Sequence, residues 1–397
     1  MPGPLAGVKV LDLTTVVMGP YATQILAELG ADVIKVEPHE GDNMRHATPM
    51  KSAGMGYMFL NLNRGKRGIV LDLKQSDGRA ALLRMIPHTD VLVYNVRPQA
   101  MARLGLSYEA LHAINPRLLY VGCYGYSQRG PYAAKAAYDD LIQGAAGIPW
   151  LTSQRAGDVP NYAPVNLADR LTGLHTVYAV TTALFHRERT GQGQSVEVPM
   201  FESVSHFVLG DHTAGLTYEP PVGGAGYARL LARRPYATRD GYICVLVYND
   251  KQWKSFLAAT GQPELMADPR YASQGARARN IAEIYDEFAK LMKTRGTDEW
   301  IALLEAADIP VARMNSIEDV MSNEHLNASG FFELEQHPSE GPLRAPRTPT
   351  NWSESQPGAR RPAPRLGEHS VEVLRETGYS DADIADLQRR GVTSKAP

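Results

Sequence analysis

Asp169 is a carboxylate whose place in the sequence allows covalent chemistry. It lies in the stretch Pro164-Val165-Asn166-Leu167-Ala168-Asp169-Arg170-Leu171-Thr172-Gly173. Pro164 resists helix and Asn166 suits an N-cap, so the pattern predicts a helix over 168–189. Asp169 then falls in the first turn, where unpaired backbone N–H groups and the helix dipole favour an ionised carboxylate. A charged carboxylate facing a cavity serves as a nucleophile or base. The plainer alternative is an acid that only decorates a helix start, where acids are common. Leu167, Leu171, Leu174, Tyr178 and Phe185 recur close to every 3.6 residues and give that helix one apolar stripe.

A second group of polar residues follows apolar runs that read as strands. Thr14 and Thr15 follow the first run, Lys74 the third, and Asn95 and Arg97 the fourth, with Arg103 a short helix further on. In an open parallel sheet, ligands bind beyond the carboxyl ends of the strands, so these residues are candidates for holding a phosphorylated ligand. As single residues they read equally well as solvated loop cations.

The elements that must position these groups alternate. Val8–Leu13 reads as a strand, Gly19-Pro20 opens a helix that Gly30 ends, and Asp32–Glu37 is the next strand. Strand-like 68–73, helical 78–86, strand-like 90–94, helical 98–104 and strand-like 118–122 continue the pattern, which predicts a doubly wound α/β layer. The turn Thr14–Gly19 has no G-x-G-x-x-G, which removes the phosphate-cradling reason for a nicotinamide enzyme. Gln194–Val198 reads as a strand and Phe201–Thr217 as a helix apolar enough for burial. A flexible stretch at 218–226 leads to a second compact region, and the Pro-rich 342–364 reads as a long surface excursion. Two amphipathic helices, 369–377 and 380–390, close the chain.

At 397 residues the chain exceeds what one core usually serves. Hydrophobic residues make up 44% and the formal net charge is -2, with no long run of one sign, so neither a general nucleic-acid surface nor a polybasic membrane anchor is expected. No apolar run is long enough to span a bilayer, and the start lacks signal-peptide features. Cys123 and Cys244 have no motif spacing and read as free residues in a reducing, cytoplasmic setting. The histidines form no metal-ligand pattern, so no metal is expected.

Four ordered stretches carry a family resemblance. They are Leu5–Leu13 through Gly19-Pro20 to Leu29–Glu37, Asn61–Arg67 with Leu71–Lys74, Asp169-Arg170-Leu171-Thr172-Gly173 through Arg189–Gln194, and Leu366-Gly367-Glu368-His369 with Glu372-Val373-Leu374. Together they resemble the class III CoA transferases, the CaiB/BaiF or formyl-CoA transferase family, nearly end to end. The resemblance implies an α/β fold with a Rossmann-like large domain built from N- and C-terminal parts, 1–217 and 326–397. A linker and smaller α+β domain, 218–325, would lie between them, and two chains would interlock as a homodimer. It implies Asp169 as the nucleophile that attacks an acyl-CoA thioester, with an acyl-CoA donor and a carboxylic acid acceptor as partners. Coenzyme A would be a co-substrate, and no cofactor would be bound permanently. Val16, Lys74, Asn95, Arg103, Lys135 and Met200 match positions that contact CoA in formyl-CoA transferase. Pro38 replaces a CoA-contacting arginine of that relative, which leaves His39 or Arg97 to hold the adenosine end, and Val17 replaces a glutamine near the reacting centre.

The same family fold hosts α-methylacyl-CoA racemases, which need a protonatable group on each face of the α-carbon. Those enzymes carry a His-Asp pair where this sequence has Tyr138-Asp139, so CoA transfer is the expected reaction and racemisation the alternative. Arg233 and Arg234 read either as recognising a second carboxylate of the acceptor or as surface cations.

Overall fold

The computed structural model describes residues 3–154, 159–358 and 361–394. Two compact units emerge. One comprises Met1–Ile148, Tyr162–Phe207 and Ala328–Pro397, and the other Pro149–Asn161 and Val208–Asn327. The crossing into the main segment of the smaller unit thus falls inside the helix Met200–His212, ahead of the 217/218 boundary expected from sequence, and an earlier short excursion, Pro149–Asn161, also belongs to the smaller unit.

The larger unit is organised by a six-stranded sheet of β1 (Lys9–Leu13), β2 (Asp32–Glu37), β3 (Arg67–Val70), β4 (Val91–Tyr94), β5 (Leu119–Tyr124) and β6 (Gln194–Pro199). Their order is β3-β2-β1-β4-β5-β6, and every neighbouring pair is parallel. Parallel strands are covered on both faces, which is why Val91-Leu92-Val93-Tyr94 is apolar without alternation. Leu11, Ile34, Ile69, Leu92 and Tyr120 share one core with Leu82 and Met85 of the helix Ser76–Met85.

The C-terminal segment finishes this unit. Helices Ser370–Glu376 and Asp381–Arg389 send Val373, Leu374, Ile384 and Leu387 into the same core. The segment also occupies the outer edge of β3. Val70 N–H donates to Ser370 Oγ at 3.2 Å, Thr393 Oγ1 donates to the Val70 carbonyl at 2.6 Å, and just beyond β3 Asp72 N–H donates to the Val392 carbonyl at 2.9 Å. An edge strand that would expose unpaired backbone is thereby covered.

The helix Leu167–Thr190 is the longest in the chain among the described residues. Gly191 ends it with φ 76°, a left-handed conformation open to glycine, as the Thr190-Gly191-Gln192-Gly193 run suggests. Its buried side is not the predicted stripe. Ala168, Thr172, Gly173, Thr176, Val180, Ala183 and Leu184 face inward, while Leu174, Tyr178 and Phe185 are exposed. Size explains the inversion. A Cβ on Gly173 would lie 2.9 Å from the Met18 carbonyl oxygen, so at this position only glycine lets the helix pack this closely on the neighbouring helix Met18–Glu28. The helix Met200–His212 likewise leaves Phe207 exposed, against the expected burial.

The smaller unit has a three-stranded antiparallel sheet of β7 (Tyr236–Ala237), β8 (Tyr242–Val245) and β9 (Val311–Arg313). Its core gathers Trp253, Phe256, Phe288, Met292 and Trp300 from three helices. In the larger unit, the start of the predicted Pro-rich excursion falls in β11 (Gly341–Pro346), which pairs in a hairpin with the preceding β10 (Phe332–His337). Pro342 and Pro346 sit near the two ends of β11, where a missing N–H disturbs the ladder least. No helix among the described residues is long and apolar enough to cross a membrane.

Candidate active site

The strand order reverses direction between β1 and β4, and the loops leaving these two strands diverge from there. A crevice at such a point is the usual ligand site of an open α/β sheet. A cleft of about 380 Å³ lies here. Thr15, Val16, Val17 and Met18 come to it from beyond the end of β1, Asn95 and Arg97 from beyond β4, Cys123 and Tyr124 from β5, and Met200 from the start of the helix that follows β6. Lys135, Tyr138, Asp139 and Asp169 complete the wall.

The β1 loop is held from several sides. Asn95 Oδ1 accepts from Thr15 N–H at 3.0 Å, and Asn95 Nδ2 donates to the Thr15 carbonyl at 2.8 Å. Val16 has φ 72°, which a β-branched residue adopts only under constraint. The constraint is visible: Val16 N–H donates to Asp42 Oδ1 at 3.2 Å, and Asp42 is itself fixed by Lys35 at 2.9 Å in a fully buried ion pair. Next to it, Asp12 accepts from Lys66 Nζ at 2.9 Å, Thr23 Oγ1 at 2.6 Å and Thr14 N–H at 2.9 Å.

Asp169 occupies the third position of the long helix. Asn166 is the N-cap residue, but its side chain makes no cap bond. The cap comes from elsewhere: Asp139, first residue of the helix Asp139–Ala145, accepts from Asp169 N–H through Oδ1 at 2.9 Å. This changes the expected acidity. Burial, and then the neighbouring Asp139 carboxylate, push Asp169 up to about 7, with Arg170 opposing them. The helix start was expected to favour the ionised form, but desolvation and like charge outweigh it. A half-buried carboxyl in the cleft lining whose pKa is raised to neutral pH is a candidate for a reacting group. The other nucleophile type in the cleft is muted, because burial pushes the Cys123 thiol up to about 12, leaving it neutral.

Of the residues singled out from sequence, the cleft brings together Val16, Asn95, Arg97, Lys135, Met200 and Asp169. Lys74 and Arg103 are exposed and are not part of its lining. His39 is engaged outside it, where Nε2 donates to the Gly391 carbonyl at 2.9 Å. Arg233 and Arg234 border an open groove of the smaller unit with Tyr236 and Tyr285, and Arg234 already pairs with Asp286 at 2.7 Å. The capping role of Asp139 was not foreseen, and a contact across 30 residues leaves no local signal.

The family follows from comparison with known proteins. Residues 5–370 match CoA-transferase family III, and the chain belongs to that family. Among curated relatives, the succinate–glutarate CoA-transferase of Agrobacterium fabrum is 33% identical over 384 residues, spanning 94% of this chain and 95% of that one. The formyl-CoA:oxalate CoA-transferase of Escherichia coli is 33% identical over 414 residues, spanning 98% and 99%. A crystal structure of a CAIB/BAIF family protein from Brucella suis superposes with a TM-score of 0.82 at 32% identity, covering 95% of this chain and 100% of that one.

Proposed function

We propose that this family III enzyme moves CoA from an acyl-CoA thioester to a free carboxylic acid, with Asp169 as the covalent nucleophile. The observation that carries the reading is the Asp169 carboxyl itself, tuned to about 7 by burial and by Asp139 within the switch-point cleft. Raised basicity makes a carboxylate a better nucleophile, while a pKa near 7 leaves much of it ionised at neutral pH. Arg97 and Lys135 put positive charge in the same cleft, as the phosphates of CoA require.

The steps balance without an external reagent. Asp169 attacks the thioester carbonyl, the C–S bond breaks, and an acyl-aspartyl anhydride and CoA thiolate result. The thiolate attacks the aspartyl carbonyl of the anhydride, forming the aspartyl-CoA thioester and releasing the donor acid. The acceptor carboxylate attacks this thioester and gives a second anhydride and thiolate. Thiolate attack on the acceptor carbonyl then restores Asp169 and forms the new acyl-CoA. The named relatives transfer CoA among succinate and glutarate or formate and oxalate, so acceptors with one or two carboxylates form the class to test.

The same reading includes a homodimer of interlocked chains. Leu174, Tyr178 and Phe185, exposed along the long helix, give such a pairing an apolar surface to cover. Sedimentation at low concentration checks it: interlocked chains stay paired without unfolding, and a stable monomer would refute it. For the chemistry, the protein is incubated with acyl-CoA and then hydroxylamine, and the peptides are read by mass spectrometry. A hydroxamate on the Asp169 peptide is expected, whereas one on Asp139 or Asp140 would overturn the assignment. A matrix of acyl-CoA donors and free acids identifies the pair. Deuterium wash-in at an acyl α-carbon without CoA exchange would replace transfer with racemisation.

A further inference from the structure

The helix that carries Asp169 is capped by a residue that needs support of its own. Asp139 offers Oδ1 to the Asp169 N–H, and its other oxygen, Oδ2, accepts from Gln143 Nε2 at 2.6 Å. Gln143 lies one turn further along the same short helix and is wholly buried. Its Oε1 accepts from Ala163 N–H at 2.9 Å, in the stretch that leads into the long helix. These two partners fix the amide orientation, since Ala163 N–H requires an acceptor and the Asp139 carboxylate requires a donor. One buried amide therefore ties together the cap, the chain entering the long helix and, through Asp139, the backbone of Asp169. Gln143 does not line the cleft, so it has no direct contact to offer a substrate there.

We propose that Gln143 is a positioning residue for the transfer reaction: its amide holds Asp139 as the external cap of the long helix, and this fixes where the Asp169 carboxylate reaches into the cleft. The proposal rests on the reading of Asp169 as nucleophile. Two substitutions probe it. Gln143→Glu keeps the acceptor for Ala163 N–H but replaces the donor with a second carboxylate against Asp139. Gln143→Met keeps the length and removes the bonds to Asp139 and to Ala163 N–H, with the longer ones from Nε2 to the Ala163 and Val165 carbonyls at 3.4 Å, without adding charge.

The test compares kcat, KM for acyl-CoA, the melting temperature and the rate of hydroxamate formation at Asp169. Misplacing a reacting group by about 1 Å can cost roughly a hundredfold in rate. Gln143→Glu is expected to lower kcat and hydroxamate formation roughly 10–100-fold on that scale, and Gln143→Met less. KM should stay within about twofold, because Arg97 and Lys135 are untouched. Both variants leave buried groups without a partner, so the melting temperature should fall, most for Gln143→Glu, while the protein stays folded at the assay temperature. Parent-like kcat in both variants overturns the proposal. So does a fall in kcat that only follows a rise in KM or a loss of folded protein, since that marks a residue needed for structure alone. If Gln143→Glu does not fold, Gln143→Met carries the test; if neither folds, Gln143 is a folding residue and the proposal fails. The parent protein separates the two levels. No hydroxamate on its Asp169 refutes the nucleophile, whereas a normal hydroxamate that the variants leave unchanged refutes only Gln143.

Discussion

Asp12 and Asp169 belong to the same unit, one wholly enclosed and one half-buried, and their acidities run opposite to their burial. Burial alone would raise Asp12, but Lys66, Lys35 and the hydroxyls of Thr14 and Thr23 outweigh it and hold the carboxyl well below its ordinary range. Asp169 meets a second carboxylate instead of a matched cation and is pushed up to about 7. Partners, more than depth, decide whether a buried acid serves as a fixed structural ion or as a group poised to react. Under the β1 loop, charge is neutralised and immobile. At the head of the long helix, it is left poised.

The contrast breaks most sharply at Asp169. Asp169→Ala should lower CoA transfer by roughly 10⁴-fold or more, the scale of losing a nucleophile, in a coupled assay of acyl-CoA exchange. The fold should persist, because Asp139 rather than Asp169 supplies the cap bond.

Asp12 should answer differently. Lys66→Met removes the ammonium that bonds Asp12 directly and leaves the buried carboxylate with only Lys35 and two hydroxyls to offset it. Breaking a buried pair from one side costs about 3–5 kcal/mol, which denaturant unfolding will read as lost stability.

The cleft cations come next. A charge-assisted contact is worth ~1.5–3 kcal/mol, so Arg97→Ala and Lys135→Ala should each weaken acyl-CoA binding about tenfold or more by calorimetry. Lys74→Ala and Arg103→Ala should weaken it less, because these side chains stand outside the cleft lining.

The smallest expected effect is a shift along the pH axis. With Asp169 as the proposed nucleophile, the rate of the parent protein should rise with pH through about 7 on the acid side, as the carboxyl ionises. Asp139→Asn removes the neighbouring negative charge, and that acid limb should move to lower pH in a kcat/KM profile. Stability has the opposite sign. The folded-state carboxyl binds its proton more tightly than the unfolded one, so its contribution is largest at low pH and is lost as pH rises from about 4 to about 7. Asp169→Asn, which cannot ionise, should melt increasingly above the parent protein across that window and by a constant margin beyond it.

Much of the sheet was legible because its signals are local. Lys9–Leu13, Asp32–Glu37 and Val91–Tyr94 are short apolar runs separated by helix signals, and each forms a strand close to its expected bounds. The long helix was legible in extent but not in facing. Periodicity locates an apolar stripe without saying what covers it, and Gly173 and Thr176 direct the small side inward instead. The β10–β11 hairpin was hidden because Pro342 and Pro346 argue against a strand unless they stand near its ends. At the site, Asp169 stood out by its place at a helix start and then by resemblance, Asn95 and Arg97 by following an apolar run, and Val16 and Met200 by resemblance alone. The Asp139 cap and the ion lattice around Asp12 join residues far apart in sequence, and no spacing rule reaches them.

The C-terminal cover on β3 bears on synthesis. Ser370, Val392 and Thr393 reach the sheet only after Val208–Asn327, the whole of the smaller unit's main segment, has been made. At 5–20 residues per second, elongation leaves the nascent sheet with an open flank for on the order of ten seconds. The smaller unit's main segment is continuous and can fold on the ribosome during that interval, while the first unit waits for the tail that finishes it. A ribosome stalled near residue 360 should therefore display a protease-resistant smaller unit and a digestible N-terminal part. Protection of the N-terminal part should appear only when the last strand contacts emerge from the exit tunnel.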